Sequence, residues 1–364
     1  MIEVADIFRQ HAATYQANHS LLPHPLRAMR DIELCRTAFF GGHIAQCDHC
    51  ATFRYAYHSC RNRHCPKCHG EQSAAWWAKQ QSRLLPCPHY LLTFTLPAAL
   101  RPLAYQQPKI VYSLLLRCAA AATQKLAADP RYLGATPAIL AVLHTWTRAL
   151  LYHPHVHLLV SAGGWNAEQH WAPAKHPKYF VPVRALSVIF RAKMRQALNR
   201  LHLLPPTPSK TWTQPWVVHC QHAGAGEKVL GYLARYAFRV AITNSRLESF
   251  VDGHVTFRYR DNRTQQFQRV TLTAEEFIGR FMQHILPRGF PKVRYYGLAS
   301  ASRQKAREQA RTLLESNLTT KTSDATTAPS GSVAKAAAPP LCPHCHIGHL
   351  ILLQILRPQR KFPP

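Results

Sequence analysis

The sequence predicts an α+β fold, with a central and mostly antiparallel sheet flanked by helices and a cysteine-rich module at the N-terminus. Short apolar runs of strand character mix with longer helical stretches, without the regular strand–helix–strand order of a parallel sheet. Six of the eleven cysteines lie between Cys35 and Cys68. A hydrophobic fraction of 47% in 364 residues is enough for a substantial core and for two or three domains.

The first half of the chain begins with a helical pattern and then changes character. Apolar positions such as Val4, Ile7 and Phe8 predict helical structure in residues 1–34, and 35–70 is rich in cysteine and turn residues. Helices are then predicted over 71–85 and 108–128. Buried strands are predicted in HYLLTFTLP (89–97), AILAVLHTW (138–146) and HVHLLVSAG (155–163).

The second half alternates helices with further strands. Residues 183–204 have helical periodicity with a basic outer face, and PWVVHCQH (215–222) is a fourth strand candidate. EKVLGYLARYAF (227–238) predicts a helix, and RVAITN, HVTFRYR and FQRVTLT predict strands or hairpins. Thr273 and Glu276 form the capping box of a helix over 273–286. Residues 317–340 are a low-complexity linker.

The charge of the chain favours a polyanionic partner. The 45 Lys and Arg outnumber the 17 Asp and Glu, which gives a net charge of +28, and phosphate backbones are the usual partner at this level. A ribosome-like or membrane-surface protein is the alternative. The 7 Trp, 14 Tyr and 15 Phe favour nucleic acid, since aromatic rings stack on unpaired bases.

The ends and the apolar runs predict a soluble protein inside the cell. The N-terminus MIEVADIFRQH lacks the basic region of a secretory signal, and no apolar run approaches the roughly 18 residues of a membrane span. In that compartment cysteines favour metal binding over disulfides. Three scattered cysteines are better interpreted as small buried hydrophobes: Cys87, Cys118 and Cys220.

The cysteine cluster predicts structural zinc. Cys47-x2-Cys50-x14-Cys65-x2-Cys68 has two short loops, and each can place two thiolates on one tetrahedral ion. Cys35 and Cys60 remain, with three histidines nearby (His43, His58 and His64), so that two sites or one site with spare cysteines both stay open. A basic rim (Arg54, Arg61, Arg63, His64 and Lys67) favours DNA recognition, with a solvated charged face as the alternative.

The C-terminal CPHC is half of a metal site. Cys342 and Cys345, with His346 and His349 behind them, either bind zinc weakly or complete a site with another segment. A lone CxxC is a weak signal.

Alternate histidines in YHPHVHLLVSAGG (152–164) predict a second kind of metal site. In a strand, His155 and His157 project from one face and can share a divalent cation, while Pro154 puts His153 at the strand entry. His144, on the neighbouring predicted strand, is the candidate third ligand. The following glycines are expected to let a DNA backbone approach. Core or surface histidines bonded to carbonyls are the alternative interpretation.

Two tyrosines in GYLARYAFR are candidate nucleophiles. Tyr232 and Tyr236 have i, i+4 spacing and share one face of the predicted helix, as do Arg235 and Arg239. A phenol that attacks a phosphate polarised by a metal gives a phosphotyrosine, and the arginines can hold neighbouring phosphates. A tyrosine-filled amphipathic helix is the alternative. Tyr295 and Tyr296 lack this spacing, so a structural or DNA-stacking role is expected for them.

These motifs resemble, in their order along the chain, the two-tyrosine HUH transposases of the IS91 family, where HUH means His-hydrophobic-His. The series is CRTAFFGGHIAQCDHC, SCRNRHCPKC, LHTW, HPHVH with GG, YLARYAFRVAITNSRL and VRYYGLAS, and it covers roughly residues 10 to 300. The resemblance implies an HUH-type central antiparallel sheet, an N-terminal zinc module and a rolling-circle transposase. His155 and His157 match the HUH pair, and Tyr232 and Tyr236 match the YxxxY motif.

The chemistry implied by the resemblance is nicking of one DNA strand by a tyrosine. The histidines bind Mg²⁺ or Mn²⁺, the enzyme stays joined to the 5′ phosphate, and a second tyrosine permits a second strand transfer. The expected partner is mainly single-stranded DNA at element ends and target, in the bacterial cytoplasm and on the nucleoid. A replication initiator or relaxase of the same chemistry, a non-catalytic zinc regulator and a metal-dependent hydrolase are the alternatives.

The resulting domain organisation has four parts. Residues 1–88 form a helical, zinc-binding DNA-recognition domain and 89–300 the HUH and tyrosine catalytic domain. Residues 301–340 hold a basic helix and the linker, and 341–364 are a small CxxC tail. The predicted zinc ligands are the six cysteines of the N-terminal cluster: Cys35, Cys47, Cys50, Cys60, Cys65 and Cys68.

Overall fold

The computed structural model describes residues 2–68, 70–81, 83–176, 179–226, 229–231, 241–261, 264–319 and 339–359. The predicted α+β class, with antiparallel sheets and an N-terminal cysteine-rich module, is confirmed. The helices are α1 (Val4–Asn18), α2 (Pro23–Glu33), α3 (Gly70–Gln81), α4 (Arg101–Gln106), α5 (Pro108–Ala127), α6 (Val183–Arg200), α7 (Lys210–Thr213), α8 (Ala274–Met282) and α9 (Gln304–Thr319). None of these helices is long and apolar enough to cross a membrane.

The strands form three antiparallel sheets. They are β1 (Gly42–Cys47), β2 (Phe53–Tyr57), β3 (His89–Thr95), β4 (Thr136–Trp146), β5 (Tyr152–Trp165), β6 (Trp171–Pro173), β7 (Val218–His222), β8 (Leu247–Val251), β9 (His254–Arg260), β10 (Phe267–Thr273), β11 (Val293–Gly297) and β12 (Leu350–Leu356). The central sheet has the order β11-β4-β5-β3-β7, with β6 beside β5. The smaller sheets are β12-β1-β2 and β10-β9-β8.

The central strand β5 has two faces with different surroundings. Val156, Leu158 and Val160 are fully buried in the main core, which includes residues of α5 and α6. Alternation along the strand puts His155, His157 and Leu159 on the opposite face. There Leu159 belongs to a smaller apolar cluster with residues of β3 and β4. One face of β5 therefore packs into the main core, and the other face carries His155 and His157.

The N-terminal helices share a second core with the third sheet. One buried cluster joins residues of both helices with residues of β9 and α8. Its members include Val4, Ile7 and Phe8 of α1, Met29 and Ile32 of α2, Phe257 of β9 and Phe277 of α8. Phe8 and Phe281 pack edge to face with their ring centroids 5.4 Å apart. The predicted cap of α8 is confirmed in part, since the Thr273 hydroxyl accepts a hydrogen bond of 3.2 Å from the Glu276 N–H.

The helical structure predicted within residues 1–34 is confirmed as two helices, α1 (Val4–Asn18) and α2 (Pro23–Glu33), with Pro23 at the first position of α2. One local prediction differs from the structure. RVAITN (239–244) is not a strand in its described part, where residues 244–246 form a 3₁₀ turn before β8. Most of the predicted helix over 227–238 lies outside the described residues.

The glycines that end β5 do not leave space for DNA, so that expectation was wrong. A Cβ on Gly163 would lie 2.3 Å from the ring of Trp171. A Cβ on Gly164 would lie 2.6 Å from the Thr136 carbonyl oxygen. These glycines instead let β4 and β6 pack closely against β5.

Candidate metal centre and zinc module

Three histidines converge on the face of the central sheet opposite the main core. His144 of β4 lies opposite His155 of β5 in the strand register. The ring centroid of His144 lies 5.1 Å from that of His155 and 4.5 Å from that of His157. One ring nitrogen of each histidine lies within 4.8 Å of the others, a spacing that suits one shared cation. The structure thus brings together the three residues predicted as a set.

A hydrogen bond to its own strand orients the ring of His155, beside an irregularity in the ladder. The β4–β5 register shifts between His144 and Trp146, and Pro154, which has no N–H to donate, lies on β5 opposite this irregularity. The Nδ1 of His155 lies 2.7 Å from the His153 carbonyl oxygen. Because a carbonyl oxygen accepts, Nδ1 carries the proton and leaves the Nε2 lone pair for a ligand.

The ring of His157 is held by a neighbouring strand. Its Nδ1 lies 2.9 Å from the hydroxyl of Thr93, which is opposite His157 on β3. Polar partners of this kind fix the ring orientation of metal-binding histidines. His153 does not join the group, as its predicted place at the strand entry indicated. The Nδ1 of His153 instead lies 2.9 Å from the Arg101 guanidinium.

Burial keeps the three imidazoles neutral. It lowers the pKa of His155 to about 4 and that of His157 to about 3, where the neighbouring His155 contributes. Burial, followed by the charges of His157, His155 and Lys292, holds the pKa of His144 well below its ordinary value. Neutral imidazole is the form that ligates a metal, so the cluster is ready to bind near neutral pH.

Sequence reasoning did not find Lys292, which lies at this centre. Its ammonium is 4.5 Å from the ring centroid of Trp146, and that ring stacks on His144. Burial, followed by the charge of Arg63, lowers the pKa of Lys292 to about 7. No local signal could have found it, because Lys292 precedes β11 and reaches the site through the β11–β4 pairing.

The candidate nucleophiles and their arginines lie outside the described residues: Tyr232, Tyr236, Arg235 and Arg239. The chain just before them is described. Leu230 is fully buried in the cluster of Leu91, Val142 and Leu159, on the sheet face that carries the histidines. Tyr232 follows Leu230 by two positions.

The pair Tyr295 and Tyr296 on β11 has structural contacts. The hydroxyl of Tyr295 donates a hydrogen bond of 2.9 Å to the Gln80 side chain, and the Arg83 guanidinium lies 5.5 Å from its ring centroid. Tyr296 packs against the main core. These contacts agree with a structural role, one of the two roles expected for the pair.

A first four-cysteine cluster joins Cys35, Cys60, Cys65 and Cys68. The Sγ atoms of Cys35 and Cys60 each lie 3.5 Å from that of Cys68. Four thiolates around zinc, with Zn–S of about 2.3 Å, lie about 3.8 Å apart, so the set suits a tetrahedral ion. Cys35 and Cys65 are fully buried in the second core, which α1 and α2 share with the third sheet, so this cluster is part of the packing of that core.

The predicted grouping of Cys47 and Cys50 with Cys65 and Cys68 was wrong. Cys47 and Cys50 instead lie with Cys342 and Cys345 of the C-terminal segment. Sequence spacing failed because CxxC loops can pair with any other loop that the fold brings near. Within the described residues, neither cluster includes a histidine, so His43, His58, His64, His346 and His349 are not ligands in these sets.

The predicted basic rim is in part internal. The guanidinium of Arg63 donates hydrogen bonds of 2.6 and 2.7 Å to the carbonyl oxygens of Phe290 and Pro287. The buried His64 accepts from the Leu286 N–H through Nε2, and Lys67 pairs with Glu3. Arg54 and Arg61 remain exposed. The rim therefore has fewer groups for DNA than its composition indicated.

Comparisons with known proteins identify the class. A family model described as a putative transposase matches residues 138–307, and one described as a transposase zinc-binding domain matches 7–96. A putative transposase y4qJ of Sinorhizobium fredii is 40% identical over 381 positions, with 97% of this chain and 95% of the relative covered. The transposase for insertion sequence element IS801 of Pseudomonas savastanoi pv. phaseolicola is 31% identical, with 74% and 70% covered. No solved structure matches.

The fold, the cysteine clusters and these matches define a transposase, a DNA-processing enzyme with structural zinc. The chain belongs to the IS91 family of transposases. Both matched regions contain residues predicted as sites: the first cysteine cluster lies within 7–96, and the three histidines lie within 138–307.

Proposed function

We propose that this transposase nicks and rejoins single-stranded DNA at insertion-sequence ends through a 5′-phosphotyrosine. The observation that carries the proposal is the convergence of His144, His155 and His157 within 4.8 Å on one face of the sheet. Such a set holds one divalent cation and leaves coordination positions for a substrate oxygen. The chain is proposed to act in the bacterial cytoplasm on nucleoid DNA.

The donor set fits Mn²⁺ better than Mg²⁺. Three imidazole nitrogens are softer ligands than the oxygens that Mg²⁺ prefers. No carboxylate joins the three histidines within the described part of the chain, which disfavours a metal-dependent hydrolase. When bound, the cation supplies polarisation of the scissile phosphate.

Tyr232 and Tyr236 are the proposed nucleophiles. The phenolic oxygen bonds to phosphorus, the bond from phosphorus to the 3′ oxygen breaks, the phenol loses its proton to solvent, and the 3′ oxygen takes one up. The buried Leu230 supports this assignment, because the chain two residues before Tyr232 packs on the face that carries the histidines. Arg235 and Arg239 are proposed to hold flanking phosphates.

Two tyrosines give the enzyme two successive transfers. One phenol can hold the first 5′ phosphate while the second attacks another strand, which is the sequence that rolling-circle transposition requires. A replication initiator or relaxase would use the same groups, but both family matches are to transposases. A non-catalytic zinc regulator would leave the buried histidine set without a role.

The test uses single-stranded DNA carrying the element's ends, labelled at either its 3′ or its 5′ terminus. With Mn²⁺, the 3′-terminal label should migrate with the protein in denaturing gels, and the 5′-terminal label should appear on a shorter free strand. Chelator should abolish both products. Transfer of the 5′-terminal label to protein would contradict the proposed polarity.

A further inference from the structure

We infer that a second zinc ion joins the two ends of this chain, bound by Cys47, Cys50, Cys342 and Cys345. Cys342 and Cys345 lie outside the matched zinc-binding domain, which ends at residue 96. The inference rests on the geometry of these four residues and is independent of the proposed nicking chemistry.

The sulfur spacing is that of thiolates around one ion. Sγ of Cys47 lies 3.7 Å from that of Cys345, and Sγ of Cys50 lies 3.7 Å from that of Cys342. Tetrahedral Zn–S bonds of about 2.3 Å give sulfur separations of about 3.8 Å, whereas a disulfide needs about 2.05 Å. All four ligand atoms lie within 4.8 Å of one another.

The two loops have the same backbone hydrogen bonds. The N–H of Ala51 donates to the Cys47 carbonyl at 3.1 Å, and the N–H of His346 donates to the Cys342 carbonyl at 2.9 Å. Ala51 and His346, each four residues after the first cysteine, both have a left-handed φ, 57° and 56°. Residues with a Cβ rarely adopt this conformation, so both loops are held in an unusual shape that they share.

Each loop also directs backbone N–H groups at sulfur. His49 and Cys50 N–H groups donate to Cys47 Sγ at 3.4 and 3.5 Å. In the C-terminal loop His344 N–H donates to Cys342 Sγ and Gly348 N–H to Cys345 Sγ, both at 3.4 Å. Donors of this kind stabilise the charged thiolate, the form that ligates zinc.

The ends of the chain are fitted to each other around the four cysteines. β12 pairs with β1 from Gly42 opposite Leu356 to Cys47 opposite Leu350. The N–H of His349 donates a 2.7 Å hydrogen bond to the Asp48 carboxylate. A Cβ on Gly348 would lie 2.5 Å from that carboxylate and 2.6 Å from Cys47 Sγ, so this approach needs glycine.

The zinc ion therefore holds the C-terminal segment against the N-terminal module. Pairing of β12 with β1 closes a loop of almost the whole chain, and closing so long a loop costs conformational entropy. Metal binding offsets that cost, because metal affinity adds to the stability of the fold that forms the site. The C-terminal tail is thus a component of the N-terminal module.

Zinc counting in purified full-length protein tests the shared site. All variants carry His155→Ala and His157→Ala, which exclude zinc at the histidine cluster. In the protein with these two substitutions alone, we expect one zinc per four-cysteine cluster. Cys47→Ser with Cys50→Ser should lose one, Cys342→Ser with Cys345→Ser should lose one, and all four substitutions together should still lose one. Full zinc content in the Cys342→Ser, Cys345→Ser protein would overturn the inference, as would loss of two ions in the fourfold variant.

Matched controls distinguish ligation from general damage. Cys220→Ser removes a half-buried thiol outside both clusters, and His346→Ala with His349→Ala removes the nearby imidazoles. Both should keep the full zinc content. Zinc loss in the histidine variant at the level of Cys342→Ser, Cys345→Ser would overturn the four-cysteine assignment.

A second measurement remains informative if the cysteine variants fold poorly. A protease site inserted between Ser330 and Gly331 of the full chain allows cleavage after folding. The tail fragment should stay with the body in zinc buffer, leave when a strong chelator is added, and leave without chelator in the Cys342→Ser, Cys345→Ser protein. Retention of the tail fragment in all three conditions, or its release in all three, would overturn the inference of a shared zinc site.

Discussion

His144 and His155 lie directly opposite each other on β4 and β5, with ring centroids 5.1 Å apart and planes 85° to each other. Opposite residues of an antiparallel pair share a face, so this register brings an imidazole from each strand to one point. His157, two positions along β5, completes the set. The proposed metal centre thus depends on strand register as well as on the His-hydrophobic-His motif.

Loss of a histidine from the set should weaken cation binding more than loss of its orienting partner. We expect His157→Ala to reduce Mn²⁺ affinity by more than about 100-fold, and Thr93→Val to reduce it about tenfold, as for other outer partners of metal ligands. Calorimetric titration of chelator-treated protein measures both. The control is His153→Gln, which removes a histidine of the same strand that is hydrogen-bonded to Arg101 and not part of the set; it should keep wild-type affinity. Equal affinity in His157→Ala and wild type would exclude the centre.

Acid should destabilise the metal-free protein through these same rings. Their pKa is about 6.5 when unfolded, but burial lowers that of His155 to about 4 and that of His157 to about 3. Between these values the unfolded chain binds more protons, so the free energy of unfolding falls as pH drops below about 6.5. Urea unfolding at several pH values measures the slope.

The matched variants for this slope are His155→Gln and His202→Gln. The first removes a buried ring and should flatten the dependence between pH 6.5 and 4, whatever its stability at pH 7. The second removes an exposed ring and is the control for replacing a histidine by glutamine. A His155→Gln slope equal to that of wild type would show that folding does not lower the pKa of the buried ring.

The first cysteine cluster should be needed for folding of the N-terminal module. Cys60→Ser with Cys65→Ser removes two ligands, and Cys65 belongs to the core that holds α1, α2 and α8 together. Since a structural zinc site contributes directly to folding, we expect a large loss of stability and faster proteolysis of residues 1–68. Differential calorimetry and limited proteolysis measure these effects. A melting curve unchanged by the double substitution, or by chelation, would contradict the expectation.

DNA binding should weaken steeply with salt. Each phosphate contact contributes about 0.7 to the slope of log affinity against log salt for single strands. The exposed Arg54 and Arg61 are the rim groups left for such contacts, so Arg54→Ala and Arg61→Ala should each reduce the slope by roughly that amount. Arg131→Ala, which removes an exposed arginine paired with Asp129, is the control. Flat salt dependence in the wild type would argue against phosphate recognition.

Much of the central sheet could be predicted from the sequence, because its strands carry continuous apolar runs. HYLLTFT, AILAVLHTW and HVHLLVSAG are strands in the structure, and the helices over 108–128 and 183–204 agree within a few residues. The place of His144 on the strand beside His155 and His157 was also predicted, although the register that sets His144 opposite His155 was not. These features depend on short-range periodicity, which a single sequence shows well.

The features that were missed depend on contacts between distant segments. Cys47 lies beside Cys345 although 298 positions separate them, and a CxxC spacing carries no information about its partner loop. Lys292 reaches the histidines through the β11–β4 pairing. The apolar run LILLQIL (350–356) is a typical strand signal, but its partner β1 lies in a cysteine-rich region with a weak strand pattern.

The central claim is that Tyr232 and Tyr236 attack DNA at the histidine centre. The most direct measurement incubates wild-type, single Tyr→Phe and double Tyr→Phe proteins with labelled single-stranded element ends and Mn²⁺, followed by denaturing electrophoresis. Tyr295→Phe is the matched control for loss of a phenol. We expect a covalent adduct with wild type and Tyr295→Phe, a reduced yield with each single variant, and none with Tyr232→Phe, Tyr236→Phe, which should still bind DNA. An undiminished adduct in that double variant would contradict the account.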